Sequence, residues 1–204
     1  MSGWWRENRW WLPALPLALA AMGAASSYLV HDYWWIKEPR HEIASADQGA
    51  HVTVTDDYTD HLGTITHTFQ VRLAAVVEVD GVTLDSFDAD GPRPTPQGAQ
   101  TLRVHLDWKA DPDQFLRGCT VALVDSEGRR YERVDVNPPP ACVPSGRGGP
   151  EVAAVEGDVR GTPEGEDRPP TWSTQPEFLV AEGAEITQVL VWWQLPDYLR
   201  LDVS

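Results

Sequence analysis

The sequence has little lysine, little cysteine and, beyond residue 38, no long hydrophobic run and no sustained helical period. Lysine stands only at 37 and 109, against fourteen arginines, and acidic residues outnumber basic ones 31 to 16. Arg6, Arg9 and Lys37 balance Glu7, Asp32 and Glu38, so the formal net charge of -15 belongs to residues 39–204. Such a surface repels phosphates and argues against a nucleic acid partner, while it suits cationic partners, divalent ions or simple solvation. Two cysteines, Cys119 and Cys142, are too few for a four-cysteine zinc site and too far from the N-terminus to carry a lipid anchor. No serine occupies a nucleophile elbow, no glycine-rich loop opens a helix, and spacing places no paired carboxylates in one cleft. These absences point away from an enzyme, and neither catalytic residues nor a cofactor is expected.

What is present begins with "RWWLPALPLALAAMGAASSYLVHDYWW", Arg9 to Trp35. Trp10 to Val30 are uncharged, and as a helix they would be about 31 Å long, close to the hydrocarbon thickness of a bilayer. Trp4, Trp5, Trp10 and Trp11 precede this stretch and Tyr28, Tyr33, Trp34 and Trp35 close it, as interfacial aromatic belts do. Arg6 and Arg9 lie before it and Asp32 after it, so the positive-inside bias predicts a cytoplasmic N-terminus over 1–9, a transmembrane helix over 10–30 and an extracytoplasmic remainder. The competing reading is a cleaved signal peptide. Pro13 and Pro16 shorten the strongly helical part, and Gly23, Ala24 and Ala25 offer a cleavage site before Ser26. Prolines near a helix start are tolerable, however, and a second aromatic belt has no purpose in a discarded peptide, so retention is the expectation.

In an oxidising compartment two cysteines most simply pair, and a Cys119–Cys142 bridge would close a 24-residue loop, contributing roughly 3 kcal/mol on the chain-entropy model. After a juxtamembrane linker over 31–50, the chain reads as strands. "HVTVT" (51–55) is short. Residues 64–79 alternate, with Ile65, Phe69, Val71, Leu73, Ala75, Val77 and Val79 on one face, as one long strand or two joined by a bulge. Leu102, Val104, Leu106 and Trp108 repeat the pattern, "CTVALVDSEGRRYERV" reads as a hairpin, and "EFLVA", "ITQVLVWWQL" and "YLRLDV" complete the set. About seven half-apolar strands predict a two-sheet β-sandwich over 51–204, since each sheet must bury one face. Residues 137–176, with nine of the seventeen prolines, interrupt it as a long Pro/Gly-rich loop.

The stretches "GCTVALVDSEGRRY", "PEGEDRPPTW" and "VWWQLPDYLRLDV" resemble a group of uncharacterised actinobacterial single-pass membrane proteins, and scarce lysine, isoleucine and asparagine fit such a GC-rich source. The order L-x-D-x-x-G-x-x-Y then F-L-V-A-E-G also resembles immunoglobulin-like domains of secreted antigens and lipoproteins of Gram-positive bacteria. That resemblance implies an immunoglobulin-like sandwich. The cysteines depart from the antibody pattern, because they do not bracket a tryptophan.

Three candidate sites follow. Asp56, Asp57, Asp60 and His61 gather ligands for a divalent ion, which would suit a metal-assisted envelope hydrolase; a polar hairpin loop between two strands is the favoured reading. "SFDADGPRPTPQ" (86–97) has Asp88, Asp90 and Gly91 of a calcium loop but Ser86 and Gln97 at its ends, which favours a turn. Trp192 and Trp193 must point to opposite faces of a strand, and with Val189, Val191 and Leu195 beside Trp193, Trp192 is expected outward, where either the long loop folds over it, the favoured reading, or it anchors an envelope protein or cell-wall partner. The composite expectation is a membrane-anchored extracytoplasmic binding or scaffolding module, with no metal.

Overall fold

The computed structural model describes residues 3, 11, 14–60, 63–83, 92–112, 114–116, 118–133, 141–144, 152–153, 159–160 and 168–204. Helix α1 runs Ala14–His31 and continues as a π-helical turn, Asp32–Ile36. Then come β1 (His41–Asp47), β2 (His51–Asp60), β3 (Gly63–Val79), β4 (Ala99–Lys109), β5 (Thr120–Asp125), β6 (Arg130–Glu132), β7 (Val152–Ala153), β8 (Val159–Arg160), β9 (Thr171–Thr174), β10 (Glu177–Ala181), β11 (Ile186–Trp192) and β12 (Asp197–Asp202). One sheet has the order β1-β12-β11-β5-β6, the other β10-β4-β3-β2 with β9 also on β4, and β7 pairs only with β8. The two larger sheets pack as a sandwich.

The alternating residues make the core. Phe69, Val71, Leu73, Val104, Leu106 and Trp108 from one sheet meet Val121, Leu123, Val189, Val191, Leu199 and Leu201 from the other, all of them buried. The long β3 carries a register shift between Leu73 and Ala75. One extra residue reverses the faces of everything after it, so Val76 packs against the core while Val77, expected inward, is 39% exposed. His67, between Ile65 and Phe69, also faces inward and is only 1% exposed.

The expected linker over 31–50 is corrected. His41–Asp47 is a strand, parallel to β12, and the backbone N–H groups of Arg40 and His41 already donate to the Pro196 carbonyl at 3.0 and 3.1 Å. Its inward residues, Ile43, Ala44 and Ala46, are too few and too small to give a strong strand pattern, so pairing with β12 supplies what propensity does not. Among the described residues no helix is long and apolar enough to cross a membrane; of the transmembrane helix expected over 10–30, the described part is α1, Ala14–His31. Within α1 the Ser27 hydroxyl turns back to the Ala24 carbonyl at 2.8 Å. Trp4, Trp5, Trp10 and Pro13 lie outside the described residues, as do the side chains of Tyr33 and Trp34.

Cys119 and Cys142 are disulfide-bonded, with Cα atoms 6.2 Å apart, and Cys142 is buried. At the expected hairpin, buried Asp125 organises the turn. Its Oδ1 accepts from the backbone N–H of Glu127 (3.0 Å) and Arg129 (2.8 Å), and its Oδ2 from Arg129 Nε (2.6 Å) and the Tyr131 hydroxyl (2.9 Å). Burial alone would raise its pKa, but these donors hold the carboxyl down at about 2.

Trp192 and Trp193 do point to opposite faces, yet both are buried, at 7% and 8% exposure. Trp193 belongs to the core between the sheets; Trp192 packs on the outer face of its sheet with Ala122 and Leu190, flanked by Val124, Leu195 and Tyr198. The expectation of an outward anchor is therefore corrected: alternation fixes a direction, not exposure, and a second apolar cluster lies on that side. Trp192→Ala and Trp193→Ala should each cost about 3 to 5 kcal/mol of stability in chemical denaturation, whereas a near-neutral Trp192→Ala would contradict its burial.

Candidate functional site

The outer face of the β2-β3-β4-β9 sheet is polar by alternation: while Val54, Phe69, Val71 and Trp108 point in, Thr53, Thr55, Thr66, Thr68 and Lys109 stand exposed. Two neighbouring hollows open on it. One, of about 170 Å³, lies among Thr53, Thr68, Gln70, Lys109, Asp111 and Pro170. The other, of about 360 Å³, lies among His51, Asp107, Lys109, Thr171, Trp172 and Ser173. Lys109 lines both, so together they form one groove around it.

On the inner side of the same strands two tryptophans are fixed in the core. Trp108 and Trp172, directly paired across β4 and β9, stack at 6.3 Å and 6°. Each indole N–H is spoken for: Trp108 donates to Thr174 Oγ1 at 2.9 Å and Trp172 to the Cys142 carbonyl at 2.8 Å, which ties the core to the disulfide segment. On the rim, Asp107 accepts from Ser173 Oγ at 2.7 Å and pairs with Arg72. The Ser173 hydroxyl and the Arg72 guanidinium hold its carboxyl below the ordinary range despite partial burial. Also on the inner side, buried Arg168 lays its guanidinium over Trp172, 4.6 Å from the ring centroid, and donates from Nη2 to the Asp111 carbonyl at 2.5 Å. Sequence reading missed this groove entirely, because its parts come from β2, β3, β4 and the end of the Pro/Gly-rich stretch, whose 145–151, 154–158 and 161–167 lie outside the described residues.

The acidic candidate behaves otherwise. Asp56 and Asp57 sit within β2, opposite His67 and Thr66 of β3, rather than in a loop. Neighbours on a strand face opposite ways, so Asp57 takes the Thr66 hydroxyl outside (2.7 Å) while Asp56 turns inward. The structure thus separates the two carboxylates that the metal reading needs together. Asp60's side chain and His61 lie outside the described residues; among the described residues no three His, Cys, Asp or Glu side chains are grouped to hold a metal ion. The calcium-like stretch overlaps residues 84–91, also outside them.

Asp56 instead borders an aromatic group. His67 stacks on Tyr58 (5.6 Å, 14°) and meets the edge of Trp193 (5.5 Å, 70°) and the tilted ring of Phe115 (6.3 Å). Asp197, 2.7 Å from His41 Nδ1, adds its charge nearby. The groove thus offers donors and acceptors on the outer face, whereas the rings of His67 and Trp193 are buried.

No family model matches this chain. No curated protein matches it either. Among solved structures it is similar to an uncharacterised beta-sandwich protein from Clostridium difficile 630, at 8% identity and TM-score 0.34, over 81% of this chain and 95% of that one.

Burial raises the pKa of Asp56, and the charge of Asp197 raises it further. A raised carboxyl pKa means that the native state holds this proton more tightly than the unfolded chain, so Asp56 costs stability once the pH passes above its folded value. Asp56→Asn, which keeps the acceptor for the Asp57 N–H, should raise the melting temperature at pH 7, and the difference should vanish below about pH 4. An unchanged melting temperature at pH 7 would contradict the assignment.

Proposed function

We propose that the chain is a membrane-anchored, extracytoplasmic binding or scaffolding module of the cell envelope, built as an immunoglobulin-like sandwich. The observation that carries the anchoring is the surface of α1: Leu15, Leu17, Leu19, Met22, Tyr28 and Leu29 are 54 to 73% exposed, spread around the helix with no polar stripe. An amphipathic helix would lay one face on the sandwich; a helix apolar all round requires an apolar surround. Although α1 has 18 residues, the uncharged run from Trp10 to Val30 has 21, and Arg6 and Arg9 precede it. Those flanking charges support a cytoplasmic N-terminus and an outward sandwich.

The immunoglobulin-like reading is supported by strand order. The first strand pairs parallel with the last, β11 and β5 follow in the same sheet, and β4 pairs with β9 and β10 in the other. The β2–β3 hairpin is an addition at that sheet's edge. Binding, as against catalysis, is supported by the groove around Lys109 with the hydroxyls of Thr53, Thr68, Thr171 and Ser173 on its walls, which suits an envelope protein or cell-wall partner.

In vesicles or native membranes the full chain should resist alkaline carbonate extraction, while the double variant Leu17→Arg, Leu19→Arg should be extracted. Extraction of the unaltered chain would refute the anchor. Recovery from the medium of a form lacking residues 1–25 would replace anchoring by secretion and leave the extracytoplasmic placement standing.

A further inference from the structure

The two larger sheets end on β1 and β6 in one and on β10 and β2 in the other. Three of these strands are broken or short: β1 carries a register shift between Glu42 and Ala44, β6 has three residues and β10 has five. β2 has ten and pairs with β3 in one unbroken register. The Thr59 peptide group, held by Gln194, points away from β3, so by the period of two those of His51, Thr53, Thr55 and Asp57 point away as well. Asp56 Oδ1 occupies the Asp57 N–H, but among the described residues nothing takes the outward N–H and C=O groups of Thr53 and Thr55. Exposed edges are ordinarily blunted by lysine, proline, a bulge or an inward charge. The stretch "HVTVTDD" (51–57) has neither lysine nor proline, and its valines and threonines favour an extended strand. Its one inward charge, Asp56, lies to one side of the open Thr53–Thr55 centre.

We propose that β2 pairs antiparallel with β2 of a second copy of this chain, about a two-fold axis at Val54. Residues with outward peptide groups must face each other across such a ladder, so Thr53 exchanges both of its backbone bonds with Thr55 of the second copy, and Thr55 with its Thr53. The ends of the open stretch select this register. It begins at His51, just after the turn that the Ala50 N–H closes on the Asp47 carbonyl, and ends where Gln194 closes Thr59, which puts its middle at Val54. His51 then stands opposite Asp57 of the second copy at both ends, on the exposed face. The Thr66 hydroxyl uses Asp57 Oδ1, which leaves Oδ2 for the imidazole N–H. A slide by one bonding step loses both of these contacts, so charge and register agree on one arrangement. The axis is normal to the sheet, and the grooves of the two copies, bounded by His51 and Thr53, come side by side on one continuous face.

Sedimentation of the full chain in mild detergent, which covers α1, should show a concentration-dependent dimer. Thr55→Pro removes an outward N–H without touching the β2–β3 ladder, and should raise the dissociation constant roughly tenfold or more with the circular dichroism of the sheets unchanged. His51→Asp and Asp57→His should each weaken the dimer several-fold, and the double exchange should restore it, because an imidazole again meets a carboxylate. If Thr55→Pro loses its sheet signal, the exchange series decides alone, since its substitutions lie on the exposed face. The proposal is overturned by a chain that stays monomeric up to its solubility limit, or by a double exchange no tighter than the single variants. A folded Thr55→Pro that associates as tightly as the unaltered chain overturns it too, and would move the contact to α1 or another surface.

Discussion

Phe69 and Trp193 meet across the two sheets with ring centroids 4.7 Å apart, and the rest of the sandwich is arranged around that contact. Trp108 stands edge-on to Trp193 at 6.4 Å and 87°, Trp172 stacks on Trp108, and Arg168 lies over Trp172. On the other side His67 and Tyr58 continue the row. Rings of this size each bury about 150 to 250 Å², which at about 25 cal/mol per Å² makes each roughly a 4 to 6 kcal/mol contribution before entropy is counted. The orientation matters as much as the area. The indole N–H groups of Trp193, Trp108 and Trp172 donate to the Leu116 carbonyl, Thr174 Oγ1 and the Cys142 carbonyl, so the row of rings also holds the irregular segments in place.

Much of the fold was legible because a strand with one buried face must alternate. The inward residues of β4, β5 and β11 could be read directly, as could the existence of β10 and β12, the turn after Asp125 and the pairing of the two cysteines. Legibility failed where one local event changes the meaning of a pattern. The shift at Leu73/Ala75 exchanges Val77 for Val76, and no single residue in "RLAAVVEV" announces it. Trp192 failed differently: its direction follows from period two, but its burial depends on the apolar cluster of Ala122, Leu190 and Tyr198, which only the assembled sheet brings together. For β1 the signal was weak from the start, since an edge strand of Ala, Ser, Asp and Glu takes its structure from β12 rather than from its own propensity.

The sites were less legible than the fold. Sequence proximity gathered Asp56, Asp57, Asp60 and His61, and strand geometry then sent the first two to opposite sides. Distance in sequence hid the groove, whose His51, Lys109 and Thr171 span more than half the chain. Arg168 carries no motif at all; in "GEDRPPTW" it reads as one more charge of a polar loop. What distinguishes it is physical: burial with Nε and Nη1 left without hydrogen bonds, visible only once Trp172 and Asp111 are beside it.

The two sheets also divide the work of holding and presenting. The chain arrives from α1 at the β1–β12 sheet, where Glu38 meets Arg130 at 2.6 Å and Arg40 is fixed to Pro196 through its backbone. The groove lies on the outer face of the opposite sheet, with the whole aromatic core between. Gln194 joins the two at one end, its amide both donating to the Thr59 carbonyl at 3.2 Å and accepting from the Thr59 N–H at 3.0 Å. That pair of bonds also occupies the outward peptide group of edge strand β2, and Asp56 Oδ1 occupies the neighbouring Asp57 N–H at 3.0 Å. An edge otherwise open to pairing with another chain is thereby partly closed, as exposed edges generally must be. The groove, beside the same strand but on its face, keeps its hydroxyls and its lysine open.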